Sequence, residues 1–238
     1  MKKLISAATF GAVVLSTGIA QAGVTANLGV TSNYLWRGVT QTDNRPAVQG
    51  GVDYAHDSGF YAGTWLSNVD FGTTGFELDL YAGWSGEFSG FTLDLGYIQY
   101  MYPAHNRTEA PDFGEIYGTV GWGPLSTGIY YDVFSQEFDD AGNDLVGSWY
   151  VPLSFDWNFE NVGNLGDVGL KVFGGYYDIN DSGSYFHWGV GLSKPTDKFG
   201  TFGIQYEQAN TSDDADNTFS VDEDAMVLVN WSMDFEIM

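Results

Sequence analysis

The chain contains no cysteine and only eight basic residues, and each of these shortages excludes a class of protein. Without cysteine no disulfide can stabilise the fold, so an exported chain of this length depends on a large core or a closed sheet. Because 31 acidic residues oppose the eight basic ones, nucleic acid is excluded as a partner. No segment approaches the roughly 18 consecutive apolar residues of a membrane-spanning helix. We find no complete metal or cofactor motif, and we expect no cofactor and no catalytic residue.

The N-terminus has the features of a secretory signal peptide. Lys2 and Lys3 precede an apolar stretch, and Ala20-Gln21-Ala22 provides the small residues of a cleavage site. We therefore predict a signal peptide over residues 1–22. Residues 23–238 show no linker or shift of composition, so we predict that they form one domain.

What the chain has in abundance is glycine and aromatic residues, and these occur in an alternating pattern. The 32 glycines and the 17% content of Phe, Trp and Tyr exclude a disordered chain and fit strands joined by tight turns. In residues 148–159 the odd positions are apolar and the even positions are mostly polar. A period of two indicates a strand with one oily and one wet face, long enough to span a membrane at a tilt of about 45°. We predict that the following row faces lipid: Trp149, Val151, Leu153, Phe155, Trp157 and Phe159.

Similar alternation recurs along the whole chain. We count about twelve such segments, the first over residues 24–37, and their connections tend to alternate between long polar segments and short turns. This combination predicts an all-β fold, a closed antiparallel transmembrane β-barrel of about 12 strands with both termini on the periplasmic side. The alternative is a soluble β-sandwich, although sandwich strands are usually only about 5–6 residues long.

Several local features of this pattern are less regular. Residues 60–69 are similarly apolar on both faces, which leaves their register open. Pro152 removes a hydrogen-bond donor from the middle of a strand, and we interpret it as a local bulge. We also predict a turn over residues 86–90 and a polar connection over residues 178–184.

Part of the chain resembles a known family. The resemblance is carried by Ser32-Asn33-Tyr34-Leu35-Trp36-Arg37-Gly38-Val39-Thr40-Gln41, Pro46-Ala47-Val48-Gln49-Gly50-Gly51-Val52-Asp53-Tyr54 and Gly59-Phe60-Tyr61-Ala62-Gly63-Thr64-Trp65. These stretches look like the TorF-type outer-membrane porin family. The resemblance implies a porin in the cell outer membrane that is placed there by the barrel insertion machinery. It implies no particular substrate.

The inward rows of the predicted barrel are acidic. In the register set by the outward aromatic residues, the candidate lumen-lining residues are Arg37, Asp53, Glu77, Asp79, Asp94, Glu115, Asp132, Asp156 and Lys171. Confined carboxylates concentrate cations and repel anions. We therefore expect passive diffusion of small hydrophilic solutes with a preference for cations. The alternative is a structural or adhesive barrel whose lumen is plugged by inward tyrosines such as Tyr81, Tyr130 and Tyr150.

Arg37 and His187 each have two interpretations. We expect Arg37 at the outer end of the first strand, either in a charge pair at a constriction or as a single surface arginine. We interpret His187 as a polar side chain that fills the lumen. Its alternative role, in an outer-membrane lipid hydrolase, requires a serine that the histidine can activate.

The long connections contain acidic clusters, which are Asp139, Asp140 and Asp144, and then Asp213, Asp214, Asp216, Asp222, Glu223 and Asp224. They are either solvated loops or sites that gather divalent cations at the lipopolysaccharide surface. We expect outer-membrane lipid and lipopolysaccharide to be the surroundings of the protein.

Overall fold

A computed structural model describes residues 22–71, 74–103, 112–136, 145–180, 182–211 and 221–237. Residues 1–21 of the predicted signal peptide lie outside this range, and so do six of the acidic loop residues, Asp139, Asp140, Asp144, Asp213, Asp214 and Asp216. In the described part of the chain, no helix combines the length and the apolar character that crossing a membrane requires.

The described chain consists almost entirely of β-strands. They are β1 (Gly23–Thr31), β2 (Leu35–Trp36), β3 (Val39–Thr40), β4 (Ala47–Ala55), β5 (Phe60–Phe71), β6 (Thr74–Phe88), β7 (Phe91–Met101), β8 (Phe113–Trp122), β9 (Leu125–Ser135), β10 (Trp149–Phe159), β11 (Val168–Ile179), β12 (Gly183–Pro195), β13 (Thr201–Thr211) and β14 (Met226–Glu236). A short 3-10 turn at Gly163–Leu165 lies between β10 and β11.

Twelve of these strands, all except β2 and β3, close into one antiparallel barrel. Each barrel strand pairs with the next one in sequence, and β1 pairs with both β4 and β14, so the barrel sheet has no free edge. This topology confirms the predicted fold class and the predicted number of barrel strands. We call the end where β1 begins and β14 finishes the turn end, and the opposite end the loop end.

The outer surface of the barrel is apolar all round. Every barrel strand has at least one large hydrophobic side chain that is exposed. In β10 the outward Leu153 is 59% exposed, whereas Tyr150 on the inward face of the same strand is 8% exposed. Trp157 and Phe159 are also exposed, and Trp149, Val151 and Phe155 are half-buried. A continuous apolar belt of this kind is far larger than the patches that soluble proteins leave uncovered.

Residues 32–46, which we call the inner hairpin, leave the barrel wall and enter its interior. Strands β2 and β3 pair only with each other, through Leu35 with Thr40 and Trp36 with Val39. The connecting residues Arg37 and Gly38 have φ angles of 51° and 85°. Positive φ at both positions is the type I′ geometry that suits a two-residue hairpin.

The inner hairpin corrects the prediction that the first strand runs to residue 37. Strand β1 ends at Thr31, and Arg37 lies at the hairpin tip instead of at the outer end of a wall strand. The alternating pattern continues through Tyr34 and Trp36 because both rings pack against aromatic residues inside the barrel. Periodicity alone does not distinguish that surface from lipid.

The interpretation of Pro152 as a bulge is wrong. Pro152 lies opposite Gly175 of β11, with no extra residue on either strand. On the other side, the ladder with β9 is interrupted at residues 151 and 152 without a shift of register. The Thr127 hydroxyl donates to the Pro152 carbonyl at 2.7 Å on that side. The missing N–H therefore interrupts one ladder locally and leaves the strand in register.

The neighbouring strands settle the other irregular features. Pairing with β4 and β6 sets the register of β5, whose register shifts between Asn68 and Phe71. The predicted turn over residues 86–90 is too long, because β6 continues to Phe88 and only two residues connect it to β7. Strands β11 and β12 likewise leave only residues 180–182 of the predicted polar connection.

Candidate functional site

The barrel interior differs between its two ends. At the loop end, the inward carboxylates of Glu77, Asp79, Glu115 and Asp132 are at most 2% exposed. Toward the turn end, the Asp156 side chain is 40% exposed. The turn-end half is therefore accessible to water, whereas the inner hairpin covers the carboxylates of the loop-end half.

An ion pair joins the hairpin tip to the barrel wall. Arg37 Nη2 donates to both carboxylate oxygens of Glu115, at 2.6 and 2.7 Å. Tyr100 Oη donates to Glu115 Oε2 at 3.1 Å. Both members of the pair are buried, and the buried Arg37 Nη1 has no hydrogen-bond partner. Because an unpaired charge in such a place is costly, the pair fixes the position of the hairpin tip.

Four aromatic rings surround the Arg37 guanidinium. Its carbon lies 4.2 Å from the ring centroids of both Trp36 and Tyr150, 4.7 Å from that of Tyr177 and 5.4 Å from that of Tyr130. All four distances are within the range of a cation–π interaction. Trp36 belongs to the hairpin, and the three tyrosines belong to β9, β10 and β11. The tip therefore contacts the wall opposite the strands from which the hairpin departs.

A second set of contacts holds the base of the hairpin. Tyr34 Oη donates to Glu77 Oε1 at 3.2 Å, and the Tyr34 ring packs edge-on against Trp65. At the rim, Arg45 forms an ion pair with Asp70, and both side chains are exposed. The Asp70 N–H donates to the Gln41 carbonyl at 2.8 Å. The hairpin is thus held by side chains and a few backbone bonds, not by a strand ladder with the wall.

His187 belongs to a chain of buried hydrogen bonds. Tyr150 Oη lies 2.8 Å from His187 Nε2, and His187 Nδ1 lies 2.8 Å from Glu207 Oε1. Gln205 Nε2 donates to Glu207 Oε2 at 2.6 Å. The hydroxyl that contacts Nε2 is the phenol of Tyr150 and not a serine hydroxyl. The network therefore fills the interior of the barrel with hydrogen-bonded side chains and does not contain a serine activated by His187.

The turn-end half carries carboxylates that tyrosines bind. Asp94 Oδ1 accepts a hydrogen bond from Tyr61 Oη at 2.5 Å, and Asp53 accepts one from Tyr81. Lys171 Nζ lies 4.0 Å from Asp156 Oδ1. This half therefore presents partly solvated negative charge with one nearby lysine.

The seven acids and the lysine among the candidate lumen-lining residues lie at inward positions of the wall, and Arg37 lies on the inner hairpin. The structure does not gather them into one site, since they extend from the loop end to the turn end. Our sequence analysis missed further inward acids, among them Glu207 of β13 and Asp234 of β14. The alternation of the outward residues in those two strands was a signal that could have found them.

Gly38, at the hairpin tip, lies so close to the barrel wall that replacing it with alanine tests whether the hairpin is docked there. Its φ is +85°, and an added Cβ would lie 2.6 Å from His187 Cβ and 3.2 Å from Ala209 Cβ. We expect Gly38→Ala to lower the free energy of unfolding, measured by urea titration in lipid vesicles. Steric overlap with the wall should make the loss about 1–3 kcal/mol larger than that of a matched control.

Gly90 is that control. It also has a φ of +85°, but an added Cβ there would meet nothing within 4 Å. Gly90→Ala therefore carries the same backbone strain, of about 1–2 kcal/mol, without the overlap. Equal losses in the two variants would show that the hairpin tip does not pack against β12 and β13.

The described residues contain no group of three or more His, Asp or Glu side chains that is arranged to hold a metal ion.

The fold and its apolar outer surface define the class as that of closed antiparallel β-barrels with a lipid-like exterior, and solved structures of outer-membrane barrels are similar to this chain. The KdgM porin has 11% sequence identity and a TM-score of 0.51, with 90% of this chain and 99% of that chain covered. The NanC porin also has 11% identity and a TM-score of 0.51, covering 91% of this chain and all of that one. The outer membrane phospholipase A from Escherichia coli has 13% identity and a TM-score of 0.47, covering 87% of this chain and 91% of that one. At such identities the comparisons with the two porins establish the fold alone.

Residues 16–235 match the family described as "Bacterial protein of unknown function (Gcw_chp)", and the chain belongs to that family. A search of curated protein sequences found no significant match.

Proposed function

We propose that the protein is a porin-like channel of the cell outer membrane, through which small hydrophilic solutes diffuse passively with a preference for cations. The observation that carries the proposal is the charge of the interior. The inward acids of the described strands include Asp53, Glu77, Asp79, Asp94, Glu115, Asp132, Asp156, Glu207 and Asp234, whereas the inward basic groups we find there are Arg37, Lys171 and His187. Low-dielectric walls focus the field of such carboxylates on any ion in the lumen.

The location in the outer membrane is supported by the apolar belt and by the similarity to outer-membrane barrels. The predicted signal peptide and the resemblance to TorF-type porins agree with this location and remain predictions. Lipopolysaccharide and the barrel insertion machinery are the partners we expect there.

The class of solute follows from the sign of the charge. The KdgM porin has been solved in complex with oligogalacturonate, which is an acidic saccharide. A lumen dominated by carboxylates repels such a solute, so the similarity in fold does not extend to the same substrate in our proposal.

The reversal potential in a potassium chloride gradient across a planar bilayer tests the proposal. We expect the sign of a cation-selective channel, and we expect the potential to shrink when Asp94 and Asp156, in the accessible half, are both changed to Asn. The potential should also fall at high salt, because the Debye length shortens from about 10 Å at 0.1 M to about 3 Å at 1 M. Asp197→Asn is the control, since this exposed residue lies in a turn outside the lumen. An anion-selective potential would rule the proposal out.

The second candidate is a plugged structural or adhesive barrel, and the inner hairpin is the observation that favours it. Gly38→Ala separates the two candidates, because it weakens the docking of the hairpin tip. Current through the wild type supports a channel, whereas current through the variant alone supports a wild-type barrel that the hairpin plugs. If both proteins are folded and neither conducts, the plugged barrel is the better description.

A further inference from the structure

The surroundings of Arg37 divide into a part that moves with the hairpin and a part that belongs to the wall. Trp36 is on the hairpin, whereas Glu115, Tyr130, Tyr150 and Tyr177 are on the successive strands β8 to β11. We call these four wall residues the cage. Because the barrel ladder holds all four strands together, the cage does not depend on the hairpin for its backbone geometry.

The chemistry of the cage is specific for one kind of ligand. A buried carboxylate beside several aromatic faces binds an organic cation, through charge-assisted hydrogen bonds and cation–π contacts. A guanidinium group is the ligand found there in this structure, and it happens to be attached to the same chain. The cage is thus occupied by a side chain of the same protein that carries the kind of cation it is suited to bind.

The fit of Arg37 to the cage is incomplete. Both hydrogen bonds to Glu115 come from Nη2, and the buried Nη1 has no partner. A free guanidinium ion is not constrained by the hairpin backbone and can present two nitrogens to the carboxylate side by side, which is the preferred geometry. Such a solute can therefore compete with Arg37 at the cage.

Tyrosines connect the cage to the accessible half of the barrel. The Tyr130 ring stacks on Tyr117, with 5.1 Å between the ring centroids. The Tyr117 hydroxyl contacts that of Tyr61, which donates to Asp94. A cation drawn in by the turn-end carboxylates thus meets a continuous row of aromatic and acidic groups that leads to Glu115.

We propose that the cage is a binding site for solutes that carry a guanidinium group, and that Arg37 occupies it as a built-in competitor. The proposal rests on the channel function proposed above. A bound solute replaces Arg37, and the inner hairpin then loses its anchor at the tip. The site therefore couples the presence of its solute to the position of the hairpin.

Methylguanidinium chloride is the probe, and the Arg37→Ala variant in lipid vesicles is the protein to test. We expect methylguanidinium to raise the temperature at which the heat-modifiable gel band of this variant unfolds, relative to sodium chloride of equal concentration. The wild type should need a higher concentration of methylguanidinium to respond, because the solute must first displace Arg37 from the cage. Adding Glu115→Gln to the variant should weaken the effect at least about tenfold in concentration, which is what losing one charged hydrogen bond costs.

Folding of the variant is itself a readout, because Arg37→Ala leaves Glu115 buried without a partner. If this variant refolds poorly, methylguanidinium should restore its folded gel band and sodium should not. Equal effects of the two salts, or equal effects of methylguanidinium with and without Glu115→Gln, would overturn the proposed site.

Bilayer recordings separate this result from the channel function. If the barrels conduct cations but methylguanidinium does not act through Glu115, the site is wrong and the channel stands. If the folded barrels conduct nothing while methylguanidinium stabilises Arg37→Ala through Glu115, the channel is wrong and the cage still binds guanidinium.

Discussion

Leu153→Arg is expected to prevent the barrel from assembling in lipid vesicles. Leu153 lies near the middle of β10 and is exposed on the apolar outer surface. An arginine facing lipid near the bilayer midplane costs about 2–4 kcal/mol, which is a large part of the stability of a typical domain. The measurement is the fraction of protein that shows heat-modifiable gel mobility after refolding into vesicles.

Ser154→Arg is the matched control, because it places the same side chain one residue further along on the inward face. Ser154 Oγ lies 2.8 Å from Ser126 Oγ and donates to Asp156 Oδ2 at 2.9 Å. An arginine there points toward a carboxylate and water, so we expect near-normal assembly. If the two variants assemble equally well, the outward face of β10 does not contact lipid.

Glu115→Ala is expected to destabilise the protein by about 3–5 kcal/mol, since it leaves Arg37 buried without a counter-charge. The ion pair it breaks is almost fully enclosed, with side chains that are 6% and 0% exposed. Urea unfolding in lipid vesicles, followed by gel mobility, measures the loss. Changing both partners to apolar residues, as Arg37→Met with Glu115→Leu, should recover most of it, because no unpaired charge is then buried.

Asp70→Asn provides the comparison at an exposed ion pair on the same hairpin. The partner side chains Arg45 and Asp70 are 64% and 49% exposed. Water and salt screen such a pair, so we expect a loss of less than about 1 kcal/mol. If Asp70→Asn and Glu115→Ala cost the same, the Arg37 pair does not anchor the hairpin more firmly than the rim does.

The docked hairpin gives the interior two different parts. In the channel that we propose, the accessible half selects solutes by charge, whereas the covered half contains the cage and Arg37. Such a channel would be controlled by the contacts of the hairpin tip, and we expect Gly38→Ala, Glu115→Ala and added guanidinium to act on those contacts.

Much of the fold could be predicted because a period of two is a local property of a strand. Alternating residues such as those around Leu153 indicate one apolar and one polar face, and repeating the pattern along the chain gives the class and the number of barrel strands. The inward acids follow from the same pattern, and two of them, Glu207 and Asp234, required only its consistent use. Strand bounds were less certain, because turns such as the one after Phe88 involve few residues.

The inner hairpin could not be predicted in this way, because alternation does not say what a face contacts. Tyr34 and Trp36 continue the pattern of β1, yet they pack against Trp65 and Tyr100 inside the barrel and not against lipid. Arg37 and Glu115 are 78 residues apart in the chain, and only closure of the barrel brings them together. The sequence by itself determined the barrel and the acidity of its inward rows. Only the tertiary structure decided that one segment fills the loop-end half, since burial and ion pairing there depend on contacts among strands that are distant in sequence.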